Sequence, residues 1–424
     1  MVGRINAMAT RVRSYSKINL GLAIGPVRAD GFHSLTTLYQ TLALHDVVTV
    51  EARLAPGSRF EVRGSREGGE LVPGAKARID SAPGMPGLKY RPISETITLT
   101  TNHPGVPTDA RNTAWKMVEL ALARMGVAAE VSIHIQKELP VQGGLGAGSA
   151  NAAAALIGLE RELGLALPEA ERLAIAAEVG SDVPLFLVGG AVLGTGRGDL
   201  VAPMPDLPST WCVVAVPDEG VSTPRAFQEW DGLCAEKASG LTSPPQPDRL
   251  EQLSHVYASV FGVRPYFGVG FQPELASDTS GIVRSRQDSF SSETKQGGLE
   301  GQGITSEQGS ALNSLAGNIL LALVRTGIGN DFEQVVFPQY PLLREIKHEL
   351  MGPPADGLRE GRPDDLSGKA LYAALSGSGS ALFGLYRSET DAQAAQQRVQ
   401  KSGCKAILTE TLPRAEYWAT MFAE

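Results

Sequence analysis

A glycine-rich loop that leads directly into an alanine-rich segment constrains this chain more than any other feature. The loop reads Pro-Val-Gln-Gly-Gly-Leu-Gly-Ala-Gly-Ser over residues 140–149. Glycine lets the backbone approach a ligand closely and lets successive N–H groups turn toward one point. Since a helix is predicted directly afterwards, the positive end of its dipole would face the same point. The combination favours a polyphosphate ligand, and a glycine turn that merely caps a helix is the plainer alternative.

Neither of the two best-known nucleotide-binding motifs accounts for this loop. It lacks the Gly-Lys-Ser or Gly-Lys-Thr ending of a Walker loop, and it does not match the dinucleotide-binding fingerprint. A second glycine loop, Leu-Ser-Gly-Ser-Gly-Ser, occupies residues 375–380. By itself the second loop favours close packing of two backbones over phosphate binding. The first loop is therefore the stronger candidate for a ligand site.

Two charged residues lie in stretches that are otherwise apolar. Lys17 lies inside the strand-like stretch SYSKINLGL, and Asp182 precedes the apolar run LFLVGG. Burying an unpaired charge is costly, so each is paired, functional or turned to solvent. A lone lysine most often extends its amine to the surface, and a lone aspartate often caps a helix. As a pair they would suit phosphoryl transfer, in which Asp182 accepts a hydroxyl proton and Lys17 stabilises the developing charge.

Histidine and arginine provide weaker candidates. The six histidines show no metal-ligand spacing, so we predict no zinc or other metal site. Phe32 and His33 follow a glycine turn, where they could meet a planar base or simply complete the turn. Arg197, in Gly-Thr-Gly-Arg-Gly-Asp, is expected to be solvent-exposed and structural rather than a phosphate ligand.

Charge and cysteine content narrow the function classes. A net charge of −8 argues against bulk attraction to nucleic acid or to an anionic membrane. Three scattered cysteines without metal-ligand spacing indicate a reducing compartment. The chain shows neither a signal-peptide pattern nor an uninterrupted apolar run of about 18 residues. These features predict a cytoplasmic protein without membrane spans.

The pattern along the chain predicts an α+β protein with two domains. A length of 424 residues exceeds what one ordinary core accommodates. Strands alternate with helical stretches such as NTAWKMVELALARM and PEAERLAIAAEVG, and VSIHIQK alternates strictly between apolar and polar residues. We predict an N-terminal domain at 12–205, which carries Lys17, Asp182 and the first glycine loop and is therefore the candidate catalytic and polyphosphate-binding domain, and a C-terminal domain at 206–424. A Ser/Gly/Gln-rich insertion near 276–308 is too poor in apolar residues to predict order.

Several segments, taken in order, resemble those of the GHMP kinase superfamily. SKINLGLAIGPVRADGFHSLTTLYQTLALHD is similar to the N-terminal pattern of one member, the 4-diphosphocytidyl-2-C-methyl-D-erythritol kinase family. PVQGGLGAGSANAAAAL resembles its ATP loop, and GSDVPLFLVGGAVLGTGRGD resembles the segment with the catalytic aspartate. VSTPRAF, NDFEQVV and LSGSGSALFGLY resemble its C-terminal segments. An ordered set of motifs is more specific than any single motif.

The resemblance implies a two-domain GHMP-kinase-like fold, with an N-terminal ribosomal-protein-S5-like domain and a C-terminal ferredoxin-like domain. It implies an ATP- and Mg²⁺-dependent kinase for the 2-hydroxyl of 4-diphosphocytidyl-2-C-methyl-D-erythritol, in the non-mevalonate isoprenoid pathway. The partners would be that small molecule and ATP, with no nucleic acid or membrane, in a monomer or homodimer. Two alternatives are another GHMP kinase, which DGFHSLTTLYQTL disfavours, and an inactive binding relative, which Lys17 and Asp182 disfavour.

The resemblance also implies roles for individual residues. Lys17 and Asp182 would be the catalytic pair, and Gly377–Gly379 would support the site from the second domain. The cytidylyl substrate would be bound by Asn19, Phe32, His33 and Thr223. The phosphates of ATP would be held by Pro140, Val141, Gln142, Gly143, Gly144, Leu145, Gly146, Ala147, Gly148, Ser149 and Ala150.

This chain departs from the family pattern at three positions of the ATP loop. Where the pattern has Gly-Gly-Gly-Ser-Ser-Asp, this sequence has Gly-Ala-Gly-Ser-Ala-Asn at residues 146–151. Ala147 is tolerable only if its φ is negative. Ala150 removes a hydroxyl and Asn151 removes a charge, so Ser149 is the hydroxyl expected near a phosphate or Mg²⁺.

Overall fold

The computed structural model describes residues 9–55, 96–141, 143–239, 328–352 and 368–424. The insertion predicted near 276–308 lies outside these ranges. The same holds for nearly all of two further stretches that are rich in Gly and Pro, residues 54–94 and 352–368.

Two sheets and their covering helices make up the described part of the chain. The strands are β1 (Thr10–Val27), β2 (His33–Leu54), β3 (Ile97–Thr101), β4 (Ala129–Gln136), β5 (Ala191–Thr195), β6 (Leu200–Pro203), β7 (Trp211–Val216), β8 (Tyr372–Leu375), β9 (Leu382–Tyr386) and β10 (Lys405–Glu410). The α-helices are α1 (Thr113–Met125), α2 (Ala147–Leu163), α3 (Glu169–Val179), α4 (Thr223–Ser239), α5 (Glu333–Gln339), α6 (Pro341–Met351), α7 (Glu389–Lys401) and α8 (Arg414–Ala419). A 3-10 helix spans Pro184–Leu187. This mixed content confirms the predicted α+β class.

The first sheet is built on the long antiparallel pair β1 and β2. Its order is β3-β4-β2-β5-β6, with β1 paired to β2. Among the described strands of this sheet, only β3 and β4 pair in parallel. In β4 the predicted alternation is confirmed, because Val131, Ile133 and Ile135 are buried while the residues between them are exposed. Helix α2 packs on β1 and β2, α1 packs on α2, and α3 packs on α1, so that the three helices complete the first core.

Local sequence signals determine where these helices begin and end. Asn112 caps α1 by accepting a hydrogen bond from the Ala114 N–H at 2.9 Å, and Gly126 ends the helix at φ +67°. Helix α2 lies close to β2 at Gly158, where a Cβ would come within 2.7 Å of Val50 Cγ2. Small residues along α2 therefore hold the helix that follows the glycine loop tightly against the sheet.

The second sheet has the order β10-β7-β9-β8 and is antiparallel throughout. Helices α6 and α7 pack on it. The chain then returns to the first sheet, because Val12 and Phe422 form a β-bridge and Tyr417 lies in the first core. Within the described ranges, no helix combines the length and apolar character needed to cross a membrane.

Candidate active site

Lys17 lies in the middle of β1, next to a register shift relative to β2. Its side chain is only 2% exposed, so the amine is buried rather than extended to solvent. The Nζ atom donates to Asn19 Oδ1 at 2.6 Å and lies 3.3 Å from Asp182 Oδ2. These two partners offset the cost of burying an ammonium group. The structure thus brings together the two charged residues that the sequence singled out.

Asp182 lies between the end of α3 and the 3-10 helix that begins at Pro184. Its Oδ1 accepts a hydrogen bond of 2.9 Å from the hydroxyl of Tyr39 on β2. The side chain is 35% exposed, so it can be reached from solvent while Lys17 cannot. Burial, followed by the negative charge of Asp182, raises the pKa of Tyr39 well above its ordinary value. The phenol therefore remains a hydrogen-bond donor to the carboxylate.

The first glycine loop packs directly on Lys17. Gly143, Gly144 and Gly146 have φ of +111°, +83° and +72°, which other residues rarely adopt. A Cβ on Gly146 would lie 3.0 Å from Lys17 Cγ, and the Lys17 N–H donates to the Leu145 carbonyl at 3.0 Å. Glycine is thus required both for the turn and for the approach to the buried lysine.

The loop ends at the N-terminus of α2 with no side-chain cap. Gly146 occupies the capping position and provides no side chain to bond the first N–H groups of the helix. Those donors, the helix dipole and the Lys17 ammonium suit an anionic ligand such as the phosphates of ATP. Gln142, which belongs to the predicted ATP-binding set, lies outside the described residues.

The departures from the family pattern have local explanations. Ala147 is the first residue of α2, where the backbone is helical and a methyl group is accommodated. Asn151 is buried and its Oδ1 accepts a hydrogen bond from the Ser14 hydroxyl at 2.6 Å. Ala150 is buried against the first core, so an apolar side chain suits its position.

The second glycine loop packs on the first. The Ser376 hydroxyl donates to the Gly144 carbonyl at 2.9 Å, and the Ala381 N–H donates to the Gly143 carbonyl at 3.0 Å. A Cβ on Gly144 would lie only 2.0 Å from the Ser376 carbonyl oxygen. A Cβ on Gly377 would lie 3.6 Å from Lys17 Nζ. The second loop therefore forms the opposite wall of the lysine site.

Phe32 and His33 lie at the end of the β1–β2 hairpin. The His33 ring stacks on Phe227 of α4, with centroids 5.0 Å apart and planes at 9°. Its Nδ1 lies 3.0 Å from the Gly25 carbonyl, and its Nε2 lies 3.2 Å from Asp231 Oδ1. Both ring nitrogens are thus engaged within the protein in this structure.

Arg197 was expected to be solvent-exposed, but its side chain contacts Phe32 and Asp199. Its guanidinium lies 5.0 Å from the centre of the Phe32 ring and pairs with Asp199 at 2.8 Å. Phe32 is nevertheless 54% exposed. An exposed aromatic ring backed by a guanidinium, next to the ring of His33, provides surfaces on which a planar base can stack.

Asn19 and Thr223 contact the protein rather than open space. Asn19 accepts from Lys17 and donates from Nδ2 to Thr37 Oγ1 at 2.7 Å, so it orients the lysine. The Thr223 hydroxyl lies 2.7 Å from the hydroxyl of Ser378 in the second glycine loop. Thr223 thus links the start of α4 to that loop.

Two family profiles match this sequence. The profile described as GHMP kinases N terminal domain matches residues 112–190, and the one described as GHMP kinases C terminal matches residues 364–405. The 4-diphosphocytidyl-2-C-methyl-D-erythritol kinase of Rhodococcus jostii is 34% identical over 69% of this chain and 81% of its own length. The kinase of the same name from a Synechococcus strain is 32% identical over 79% of this chain and 81% of its own length. This chain belongs to the 4-diphosphocytidyl-2-C-methyl-D-erythritol kinase family.

The fold of this GHMP kinase agrees with that of a solved relative. The crystal structure described as 4-(cytidine 5'-diphospho)-2C-methyl-D-erythritol kinase has a TM-score of 0.52, with 22% identity. The match covers 95% of this chain and 99% of that one. The comparison supports the two-domain α+β arrangement of the GHMP kinases.

The site of this kinase includes residues that the sequence did not reveal. Tyr39, Phe227 and Asp231 contact Asp182 or His33, and Asn330 donates to the Leu375 and Gly377 carbonyls at 2.8 and 2.7 Å. Phe227 and Asp231 follow Thr223 at helical spacing, so a helical interpretation of VSTPRAFQEWD would have found them. No local signal marks Tyr39, because its contact to Asp182 joins two distant segments.

Proposed function

We propose that this kinase transfers the γ-phosphoryl group of ATP to the 2-hydroxyl of 4-diphosphocytidyl-2-C-methyl-D-erythritol, in the non-mevalonate isoprenoid pathway. The observation that carries the proposal is the buried Lys17, 3.3 Å from Asp182 and beside the uncapped start of α2. A carboxylate, an ammonium group and free backbone donors are what phosphoryl transfer to an alcohol requires. Family membership supports the choice of alcohol.

In the proposed reaction Asp182 is the general base and Lys17 stabilises negative charge. As the hydroxyl oxygen of the substrate forms its bond to the γ-phosphorus, the proton passes to the Asp182 carboxylate. The bond between the γ-phosphorus and the β–γ bridging oxygen breaks, and its electron pair leaves with ADP. The short distance between Lys17 and the glycine loop lets the ammonium group neutralise the transferring phosphoryl group.

The phosphates are assigned to residues 140–150, and Mg²⁺ would be held mainly by phosphate oxygens. In the ranges the structure describes, no group of three or more His, Cys, Asp or Glu side chains could hold a metal ion. That is compatible with Mg²⁺, which often binds through few protein groups plus substrate phosphates. When bound, Mg²⁺ neutralises phosphate charge. Ser149, in the first turn of α2, is the hydroxyl we assign nearest to it.

The cytidylyl group is assigned to the hairpin end that carries Phe32 and His33, facing Phe227. Aromatic rings from two elements can stack on a pyrimidine, and an imidazole edge can hydrogen-bond to it. Asn19 and Thr223 would lie along the path from the cytosine base to the hydroxyl that accepts the phosphoryl group. The free thiols of Cys212 and Cys404 agree with a cytoplasmic location.

A coupled ATPase assay with a panel of alcohols tests this function. We expect turnover with the cytidylyl methylerythritol, and at least about tenfold lower kcat/KM with its uridine analogue, homoserine or mevalonate. A preference for another alcohol would show a GHMP kinase of different specificity. ATP binding with no turnover of any alcohol would show an inactive binding relative instead.

A further inference from the structure

We propose that Tyr39 is a positioning residue for the general base. Its phenol holds one carboxylate oxygen of Asp182, so that the other oxygen stays directed toward Lys17 and the substrate hydroxyl. The inference deepens the proposed function and rests on the assignment of Asp182 as the base. Neither the sequence motifs nor the family resemblance assigned any role to this tyrosine.

Tyr39 contacts both members of the catalytic pair. Its hydroxyl donates to Asp182 Oδ1 at 2.9 Å, while Asp182 Oδ2 lies 3.3 Å from Lys17 Nζ. The same Nζ lies 5.6 Å from the centre of the Tyr39 ring. The two carboxylate oxygens are thus distinguished, since one accepts from a neutral donor and the other faces the ammonium group.

The neighbouring backbone leaves room for this ring. A Cβ on Gly194 of β5 would lie 2.6 Å from Tyr39 Cε2, and a Cβ on Gly198 would lie 2.6 Å from the Tyr39 hydroxyl oxygen. Gly198 also has a φ of +91°, which favours glycine. Two glycines from the segment after Asp182 therefore allow the phenol to reach the carboxylate.

The phenol stays protonated, so it donates a hydrogen bond and does not act as a base. The ring is buried, and burial together with the charges of Asp182 and Asp199 raises the pKa of Tyr39 well above its ordinary value. The charged groups that face the pair from the packed elements are Lys17 from β1 and Asp199 from the turn after β5. A hydroxyl that stays protonated can accept no proton from the substrate, so its contribution is to orient Asp182.

The consequence is a reduced rotational freedom of the base. Without the phenol, Asp182 can turn both oxygens toward Lys17, and neither is then held toward the acceptor hydroxyl. A proton-transfer group that is misplaced affects the chemical step more than it affects substrate binding. The expected signature is a decrease in kcat without a matching change in either KM.

The test compares Tyr39→Phe with Tyr372→Phe in the full-length enzyme. Tyr372 is a suitable control because its hydroxyl is buried and has no hydrogen-bond partner among the described residues. We expect Tyr39→Phe to lower kcat about ten- to thirtyfold, as for loss of a hydrogen bond to a charged group. The KM values for ATP and for the alcohol should stay within about twofold, and Tyr372→Phe should change neither parameter.

A second comparison asks whether Tyr39 acts through Asp182. In an Asp182→Ala background, adding Tyr39→Phe should change the residual kcat less than about twofold. The same ten- to thirtyfold loss in that background, or a loss confined to KM, would overturn the proposal. Wild-type turnover of the cytidylyl substrate tests the proposed function separately. The ratio of variant to wild type can be measured on whichever alcohol the enzyme phosphorylates.

Discussion

The catalytic pair and the hairpin end of this kinase are built in opposite ways. At the pair, Lys17 is 2% exposed and contacts both Asn19 and Asp182 within 3.3 Å. At the hairpin end, Phe32 is 54% exposed and the carboxylate of Asp231 is 52% exposed. A buried, paired group such as Lys17 is preorganised, whereas exposed groups such as Phe32 and Asp231 can rearrange when a ligand arrives.

The contrast separates the expected effects of mutation. Changes at the catalytic pair should reduce kcat, because Lys17 and Asp182 hold each other in position before any substrate binds. Changes at the hairpin end should raise the KM of one substrate, because the cytidylyl group is assigned there and must exchange contacts with groups such as Asp231 when it binds. The predictions below probe this division.

Asp182→Asn is expected to have the largest effect. Loss of the general base should lower kcat about 10²–10⁴-fold, while ATP affinity stays within about threefold because the phosphates are assigned to the glycine loop. Single-turnover kinetics and nucleotide titration would measure the two quantities. A kcat within a few-fold of wild type would remove Asp182 from the role of base.

Gly144→Ala should have the second-largest effect, because the two glycine loops touch at this residue. A Cβ there would lie 2.0 Å from the Ser376 carbonyl oxygen, at a φ of +83°. The loops must separate, and misplacement of about 1 Å can cost about 10²-fold in kcat/KM. Gly126→Ala is the matched control, since Gly126 has a φ of +67° but nothing within 4 Å of its Cβ position.

Gly126→Ala introduces only the cost of placing an alanine at a positive φ, about 1 kcal/mol of stability, far from the site. We therefore expect Gly126→Ala to lower Tm slightly and to leave kcat/KM for ATP unchanged. Equal kinetic effects of the two substitutions would mean that contact between the loops is not required for ATP use.

What could be predicted from the sequence was local. Helix α1 with its Asn112 cap and the alternating strand β4 follow from period and capping, which depend on neighbouring residues. The glycine loop was evident because its composition is itself the signal. The two charged residues were noticed because each lies in an apolar stretch.

What could not be predicted depends on which elements face each other. The Tyr39–Asp182 hydrogen bond joins residues 143 positions apart. The Tyr417 hydroxyl donates to the Phe186 carbonyl at 2.6 Å across 231 positions, so α8 supports the 3-10 helix after the base. Periodicity reports that a side chain is buried but not what it contacts. Such partners become visible only once both sheets are in place.

His33→Ala tests the hairpin end. We expect the KM for the cytidylyl substrate to rise about ten- to a hundredfold, because a buried base edge loses its partner, while the KM for ATP stays within about twofold. His134→Ala, at an exposed position of β4, should have no effect. Comparing the cytidine and uridine substrates in both variants measures how far His33 reads the base.

Asp231 sharpens this test because it lies 3.2 Å from His33 Nε2, where a base edge would bind. If the base displaces the carboxylate, Asp231→Ala should leave the KM for the cytidylyl substrate unchanged or lower it. A rise in KM as large as that of His33→Ala would show instead that the base needs both side chains. Loss of ATP affinity in His33→Ala would contradict the assignment of the hairpin end.

Among the substitutions expected to impair the kinase, Thr223→Val should have the smallest effect, because Thr223 lies between the two regions. Its hydroxyl contacts the Ser378 hydroxyl at 2.7 Å, which links α4 of the hairpin end to the loop that faces Lys17. A neutral hydrogen bond contributes about 0.5–1.5 kcal/mol, so KM for the cytidylyl substrate should rise about two- to tenfold. Ser378→Ala should have a similar effect, and the double variant should be no worse than either single one if the hydroxyls act as a pair. Additive losses would show that Thr223 contacts the substrate itself, which would make the hairpin end independent of the second glycine loop.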